Sequence, residues 1–183
     1  MRIEEKEFLL PNGEKVIIRS AGPEDAEQIK DLRETTSAET HFMARDPEDG
    51  QMNVERVRAV MDATAKSERE FMVTAFVGDQ VVGDLGIMLI RPHVKYLHRA
   101  YLGMAIRQKY TGMGLGNFMM QVALEQAKKN GFEQVELGVY ADNARARHLY
   151  EKNGFKEYGV NPRAFKLKDG TYIDEIIMVH FFE

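Results

Sequence analysis

The chain has 183 residues, a hydrophobic fraction of 44%, a charged fraction of 30%, no cysteine and a formal net charge of −4. That length and balance suit one domain with a sizeable core, and the acidic sum offers no broad basic footprint for nucleic acid. No apolar run reaches the roughly 20 residues of a membrane helix, and disulfides, thiolate metal sites and a cysteine acyl-enzyme are excluded.

Met1-Arg2-Ile3-Glu4-Glu5-Lys6-Glu7 has no apolar signal core, so a cytoplasmic location is expected. Phe8-Leu9-Leu10, Pro11-Asn12-Gly13-Glu14 and Val16-Ile17-Ile18-Arg19 read as a hairpin, because Asn and Gly both tolerate the positive φ of a tight turn. Pro23 opens a helix through about Thr35. Residues 37–52 read as irregular, with Pro47 and Gly50 as breakers. A second helix is expected from about Val54 to Ala65, carrying Val57, Val60 and Met61 at helical spacing. Phe71–Val77 and Val81 to about Ile90 are near-continuous apolar strands joined by Gly78-Asp79-Gln80.

His98–Ile106 is the next strand, with Ala100, Leu102, Met104 and Ile106 on one face. A loop with Gly112, Gly114 and Gly116 follows, then a helix to Asn130 closed by Gly131. Gln134–Tyr140 is a short strand, and Ala144–Lys152 a short helix capped by Asp142 or Asn143 and ended by Gly154. From about Tyr158 to Phe182 the chain reads as a long hairpin turning at Lys168-Asp169-Gly170. The expected fold class is α/β in the broad sense (α+β): a single domain with a mixed, mostly antiparallel central sheet flanked by helices. The strand–helix–strand unit at 98–140 supplies one parallel pair through a right-handed crossover.

A glycine loop running into a helix start combines close backbone approach with free N–H groups and a partial positive charge, which suits a phosphorylated ligand. The G-x-G-x-G spacing is not the dinucleotide G-x-G-x-x-G, since Asn117 stands at the third glycine position. No G-x-x-x-x-G-K-[ST] is present. The five histidines, 41, 93, 98, 148 and 180, show no HExxH spacing, and no metal site is expected.

Two segments carry a family resemblance. Tyr110-Thr-Gly-Met-Gly-Leu-Gly116 resembles the Q/R-x-x-G-x-G/A pyrophosphate loop of the GCN5-related N-acetyltransferases (GNAT). Asn143-Ala-Arg-Ala-Arg-His-Leu-Tyr-Glu-Lys-Asn-Gly-Phe155 is similar to that family's N-x-x-A-x-x-L-Y-x-x-x-G-F helix. The resemblance covers about residues 14–180 and is strongest over 98–156, within one N-acetyltransferase domain spanning 1–183. Thr111 departs from it, standing where the family has Gln or Arg; a threonine can donate one hydroxyl hydrogen bond, and Arg107 or Lys109 are nearby sources of charge.

The resemblance implies direct acetyl transfer from acetyl-CoA to a primary amine on a small molecule, polyamine or peptide, with no metal. Its cofactor-binding residues are Met104, Ala105 and Ile106 on the strand, Thr111, Gly112, Met113, Gly114, Leu115 and Gly116 in the loop, and Asn143 and Tyr150. Tyr150 is the implied general acid for the leaving sulfur; its ordinary pKa of about 10 keeps it protonated. Glu39 and His98 are candidate bases, Glu136 is another, and Asp174 and Glu175 are candidate contacts to a cationic substrate. Neither nucleic acid nor membrane is expected as a partner, and a homodimer is admissible because family members are often dimers. The alternatives are a non-catalytic acyl-CoA sensor on the same scaffold and a nucleotide-binding regulatory domain.

Overall fold

Short turns and apolar strands dictate a meandering sheet, and the computed structural model, which describes residues 1–183, has one. Its strands are β1 (Lys6–Leu9), β2 (Lys15–Arg19), β3 (Phe71–Val77), β4 (Gln80–Leu89), β5 (Arg99–Ile106), β6 (Gln134–Tyr140), β7 (Lys156–Lys166) and β8 (Tyr172–Phe181). Its α-helices are α1 (Ala26–Glu39), α2 (Val54–Lys66), α3 (Leu115–Lys129) and α4 (Ala144–Lys152). All eight strands lie in one sheet in the order β1-β2-β3-β4-β5-β6-β8-β7. Only β5 and β6 are parallel neighbours, and α3 carries the chain between them.

Both faces of the sheet are covered. On one, Phe71, Val73 and Ala75 of β3 join a core with Met119 and Ala123 of α3. On the other, Met72 and Phe76 pack with Ile29 and Leu32 of α1 and Val57 and Met61 of α2. Burial on both faces explains why β3 reads as an unbroken apolar run instead of an alternating one.

Two boundaries differ from the sequence reading. Helix α1 continues past Thr35 to Glu39, into the stretch expected to be irregular. Thr36 and Ser37, poor helix formers in isolation, are buried and turn their hydroxyls back onto the carbonyls of Leu32 (2.9 Å) and Arg33 (2.7 Å). The last hairpin is interrupted near Asn161-Pro162-Arg163, where its register with β8 shifts. Arg163 takes φ 56°, and its N–H donates to Asp174 Oδ1 at 2.7 Å.

The parallel pair is stapled by charge. Arg99 of β5 grips Glu136 of β6 through two bonds of 2.6 and 2.8 Å, and the Tyr158 hydroxyl donates to the same carboxylate at 3.0 Å. Glu136 is only 5% exposed. Burial pushes its pKa up, but Arg99 and Tyr158 outweigh that and hold the carboxyl below its usual range. Because the folded value lies below the unfolded one, this stabilisation is present above about pH 4.3 and fades as the pH falls below it. Glu136→Ala should lower stability by ~2 kcal/mol at neutral pH, because Arg99 and Tyr158 lose their acceptor. Thermal melts of the two proteins at pH 7 and pH 3.5 check this: the difference should shrink at the lower pH, and equal melting at pH 7 would deny the staple its role.

Candidate active site

Parallel pairing of β5 with β6 stops after three residues: Arg99 faces Gln134, Ala100 faces Val135 and Tyr101 faces Glu136. Beyond that point β5 continues along β4 as far as Ile106, and β6 continues along β8 to Tyr140. The two strands therefore part, and Leu102–Ile106 turn unpaired backbone N–H and C=O groups toward the gap. At the parting the N–H of Gly138 donates to the Tyr101 hydroxyl at 3.2 Å. A cleft of about 850 Å³ opens here, reaching from the glycine loop to the last hairpin.

One end of the cleft is an anion cradle. Gly114 takes φ +86° at the N-cap of α3 and supplies no side-chain cap. The first backbone bond of the helix is from Phe118 N to Gly114 O, so the N–H groups of Leu115, Gly116 and Asn117 have no helical partner. Gly116 is needed for proximity: a Cβ there would sit 3.3 Å from both Ile106 Cδ1 and Leu149 Cδ2. Its absence lets the helix start lodge between β5 and α4.

Side chains charge this end from an unforeseen direction. The Thr111 hydroxyl donates to the Gln108 carbonyl at 2.6 Å, so its proton is held within the loop. Arg107 is 9% exposed and turned inward, bonded to the Val81 carbonyl and to Asp31. Lys109 lies over the Tyr110 ring. The cleft receives its positive charge from α4 instead, where Arg145 and Lys152 line it together with His148. Their spacing of three and four residues puts them on one helix face. Arg145 Nη2 reaches within 3.3 Å of where a Cβ on Gly112 would be. That spacing, inside the N-x-x-A segment, was the available signal in the sequence.

Met104, Ala105, Ile106, Thr111, Gly112, Gly114, Gly116, Asn143 and Tyr150 all line the cleft. Leu115 does not, because its side chain is 1% exposed in the core, where Met113 also packs. Asn143 caps α4, accepting from Ala146 N at 3.1 Å. Tyr150 is 8% exposed, with its ring in the main core beside Phe155. Burial first, and then the neighbouring Tyr101 hydroxyl, push its pKa up to about 12.

The other end is acidic and aromatic. Glu175 lines it from β8, its carboxylate lying directly over Gly138. Glu39, the last residue of α1, also lines the cleft, but near the loop, where it accepts Gln108 N at 2.8 Å. Tyr140 and Phe165 stack at 3.7 Å, and Phe42 meets Tyr140 edge-on at 5.9 Å. Polar contacts tie the segment after α1 across this end: His41 Nε2 lies 3.0 Å from Asp142 Oδ2, and Lys168 forms ion pairs with Asp46 and Glu48 at 3.0 and 2.9 Å.

Three sequence candidates lie elsewhere. His98 precedes β5 at its paired end, its carbonyl accepting from Glu133 and Gln134, and it is not part of the cleft wall. Glu136 is committed to Arg99 and Tyr158, and Asp174 to the backbone of Arg163.

Among known proteins, the sequence model of the Acetyltransferase (GNAT) family matches residues 27–155. The L-amino acid N-acetyltransferase AaaT of Escherichia coli is 27% identical over 107 residues, which is 58% of this chain and 65% of AaaT. A mycothiol acetyltransferase of Beutenbergia cavernae is 30% identical over 152 residues, 83% of this chain and 48% of that protein. The chain thus spans between about half and just under two thirds of these curated relatives. Among solved structures, a GNAT-family acetyltransferase of Streptococcus pneumoniae superposes with a TM-score of 0.86 at 27% identity, covering 91% of this chain and 99% of that one. The yncA structure of Salmonella typhimurium, which holds its cofactor acetyl-CoA, shares the fold with a TM-score of 0.81 at 17% identity over 92% of this chain and 94% of its own. The family match runs from the start of α1 through the end of α4 and takes in both strands that bound the gap; the chain belongs to the acetyltransferase (GNAT) family.

Proposed function

We propose that the chain is an N-acetyltransferase that binds acetyl-CoA in the cleft between β5 and β6 and transfers the acetyl group to a primary amine by direct attack. The observation that carries this reading is the three-residue pairing of β5 with β6. It leaves a strand edge open between an amide-rich helix start and a tyrosine hydroxyl. The fit to CoA is physical. The unpartnered N–H groups at the start of α3, with Arg145 beside the loop, suit a pyrophosphate. The unpaired edge of Leu102–Ile106 suits an amide-bearing arm that pairs like an added strand.

Acetyl-CoA supplies the thioester; the chain's part is to hold both reactants in line, exclude water and manage two protons. Tyr150 lines the cleft, keeps its proton at neutral pH and is the group suited to give it to a departing thiolate. The backbone edge of β5 offers N–H groups to the thioester carbonyl oxygen. Glu39 and Glu175, the carboxylates that line the cleft, are the candidates to receive the proton that the acceptor ammonium must lose.

Thermal-shift measurements test the ligand class: CoA should raise the melting temperature, while NAD and ATP should not, and the reverse pattern would reject the reading. Tyr150→Phe should cut kcat by about 100-fold or more while leaving acetyl-CoA affinity near wild type; an unchanged kcat removes the tyrosine from the chemistry. The wild-type alkaline limb belonging to this phenol should lie above about pH 11, matching its elevated pKa. Arg145→Ala should raise the KM for acetyl-CoA by about tenfold, the effect of losing one charge-assisted contact. It should leave the KM for acetyl-pantetheine, which lacks the pyrophosphate, unaltered; equal effects on both donors would show that Arg145 does not read the phosphates.

A further inference from the structure

Charge is segregated along the cleft. Every lysine, arginine and histidine that lines it, namely Arg145, His148 and Lys152, comes from α4. The end formed by the segment after α1 and by β8 holds Glu175 and no lysine or arginine. Lysines and arginines of the neighbouring segments are engaged with other groups. Lys168 binds Asp46 and Glu48, and Arg163 lies 3.9 Å over the Tyr172 ring. Arg147 pairs with Glu157 and donates to the Ala141 carbonyl, while Arg45 donates to Asp46 and Gly50.

We infer that the acceptor is a small amine that carries an apolar or aromatic stem and no carboxylate, and that Glu175 selects it. This deepens the acetyltransferase reading and rests on it. Glu175 sits at the parting of the strands because Gly138 has no side chain: its Oε1 lies 2.0 Å from where a Cβ on Gly138 would be. Asn161 Nδ2, 3.4 Å from Oε2, is its sole side-chain hydrogen-bond partner. An ammonium in the gap thus meets a carboxylate with most of its accepting capacity free. The Phe42, Tyr140 and Phe165 rings form the wall beside it, a surface that takes an apolar stem by burial and a cation by its π-faces.

An α-amino acid places a carboxylate two bonds from its amine. Here that group would enter beside Glu175 with no lysine or arginine lining that end to meet it, a like-charge and desolvation penalty that discriminates by repulsion. The ties from His41 to Asp142 and from Lys168 to Asp46 and Glu48 cross this end and favour a compact acceptor over an extended chain.

Phenethylamine, phenylalaninamide and phenylalanine separate the variables, since the amide keeps the bulk of the carboxylate without its charge. With acetyl-CoA as donor and thiol release as the readout, kcat/KM for the first two should exceed that for phenylalanine by about 100-fold. Glu175→Gln should lower kcat/KM for phenethylamine by about tenfold or more and narrow the gap to phenylalanine, with CoA-induced thermal stabilisation retained. Wild-type selectivity decides the question even where the variant folds poorly. Phenylalanine used as well as phenethylamine overturns the inference, as does rejection of the amide together with the acid or unchanged selectivity in Glu175→Gln. Stabilisation by CoA with none of the three amines acetylated also overturns it, yet leaves the cofactor reading in place. Failure of CoA to stabilise the protein would instead remove the acetyltransferase reading itself.

Discussion

The parting of β5 from β6 after three paired residues is the constraint on which the rest depends. A parallel pair inside a sheet normally satisfies both backbone edges, and leaving two edges open at the centre of a fold costs several hydrogen bonds. The structure limits that cost in two ways. Each strand stays fully paired on its outer side, with β4 and β8. The Arg99–Glu136–Tyr158 staple holds the closed part of the pair at Tyr101–Glu136, so the opening starts at a defined residue. Tyr101 then sets the first rung of the gap by accepting the Gly138 N–H.

Around this opening the two ends of the cleft acquire opposite electrostatic character from elements far apart in sequence. The cationic end comes from α4 and the backbone of α3, both within the segment matched by the family model. Phe165 and Glu175, which help form the acidic end, lie beyond that segment. The cationic end relies in part on backbone amides, which do not depend on side-chain identity, whereas the acidic end is built from side chains.

The strands, the helices and the glycine loop were legible because each rests on local chemistry: Asn-Gly and Asp-Gly turns, an apolar β3 buried on both faces, and the N-cap at Asn143. What escaped is governed by register and by long-range partners. Glu136 and Glu175 are both carboxylates in strands, yet one is consumed by Arg99 across a parallel pair and the other is left open over a glycine. Nothing in the local sequence distinguishes them, since the distinction depends on which residue the neighbouring strand presents. Arg107 stands beside the loop in sequence but is drawn inward by Asp31 of α1, and the cation that reaches the loop is Arg145 from a later helix. The Thr-Thr-Ser run at 35–37 reads as a helix end, but burial and back-bonding carry α1 on to Glu39.

That extension of α1 has a consequence for the site. By ending at Glu39, the helix delivers a carboxylate to the N–H of Gln108, immediately after β5 and the inward-turned Arg107. Arg107 and Glu39 thus bind α1 to the end of the open strand from two directions, through Asp31 and through Gln108 N. An edge that lacks its β6 partner needs such anchoring, because an unpaired strand terminus otherwise frays. The same helix end launches the segment carrying Phe42, which reaches Tyr140 on the far side of the gap. One element therefore steadies the open strand and starts the aromatic wall, so a shift at the C-terminus of α1 would displace both together.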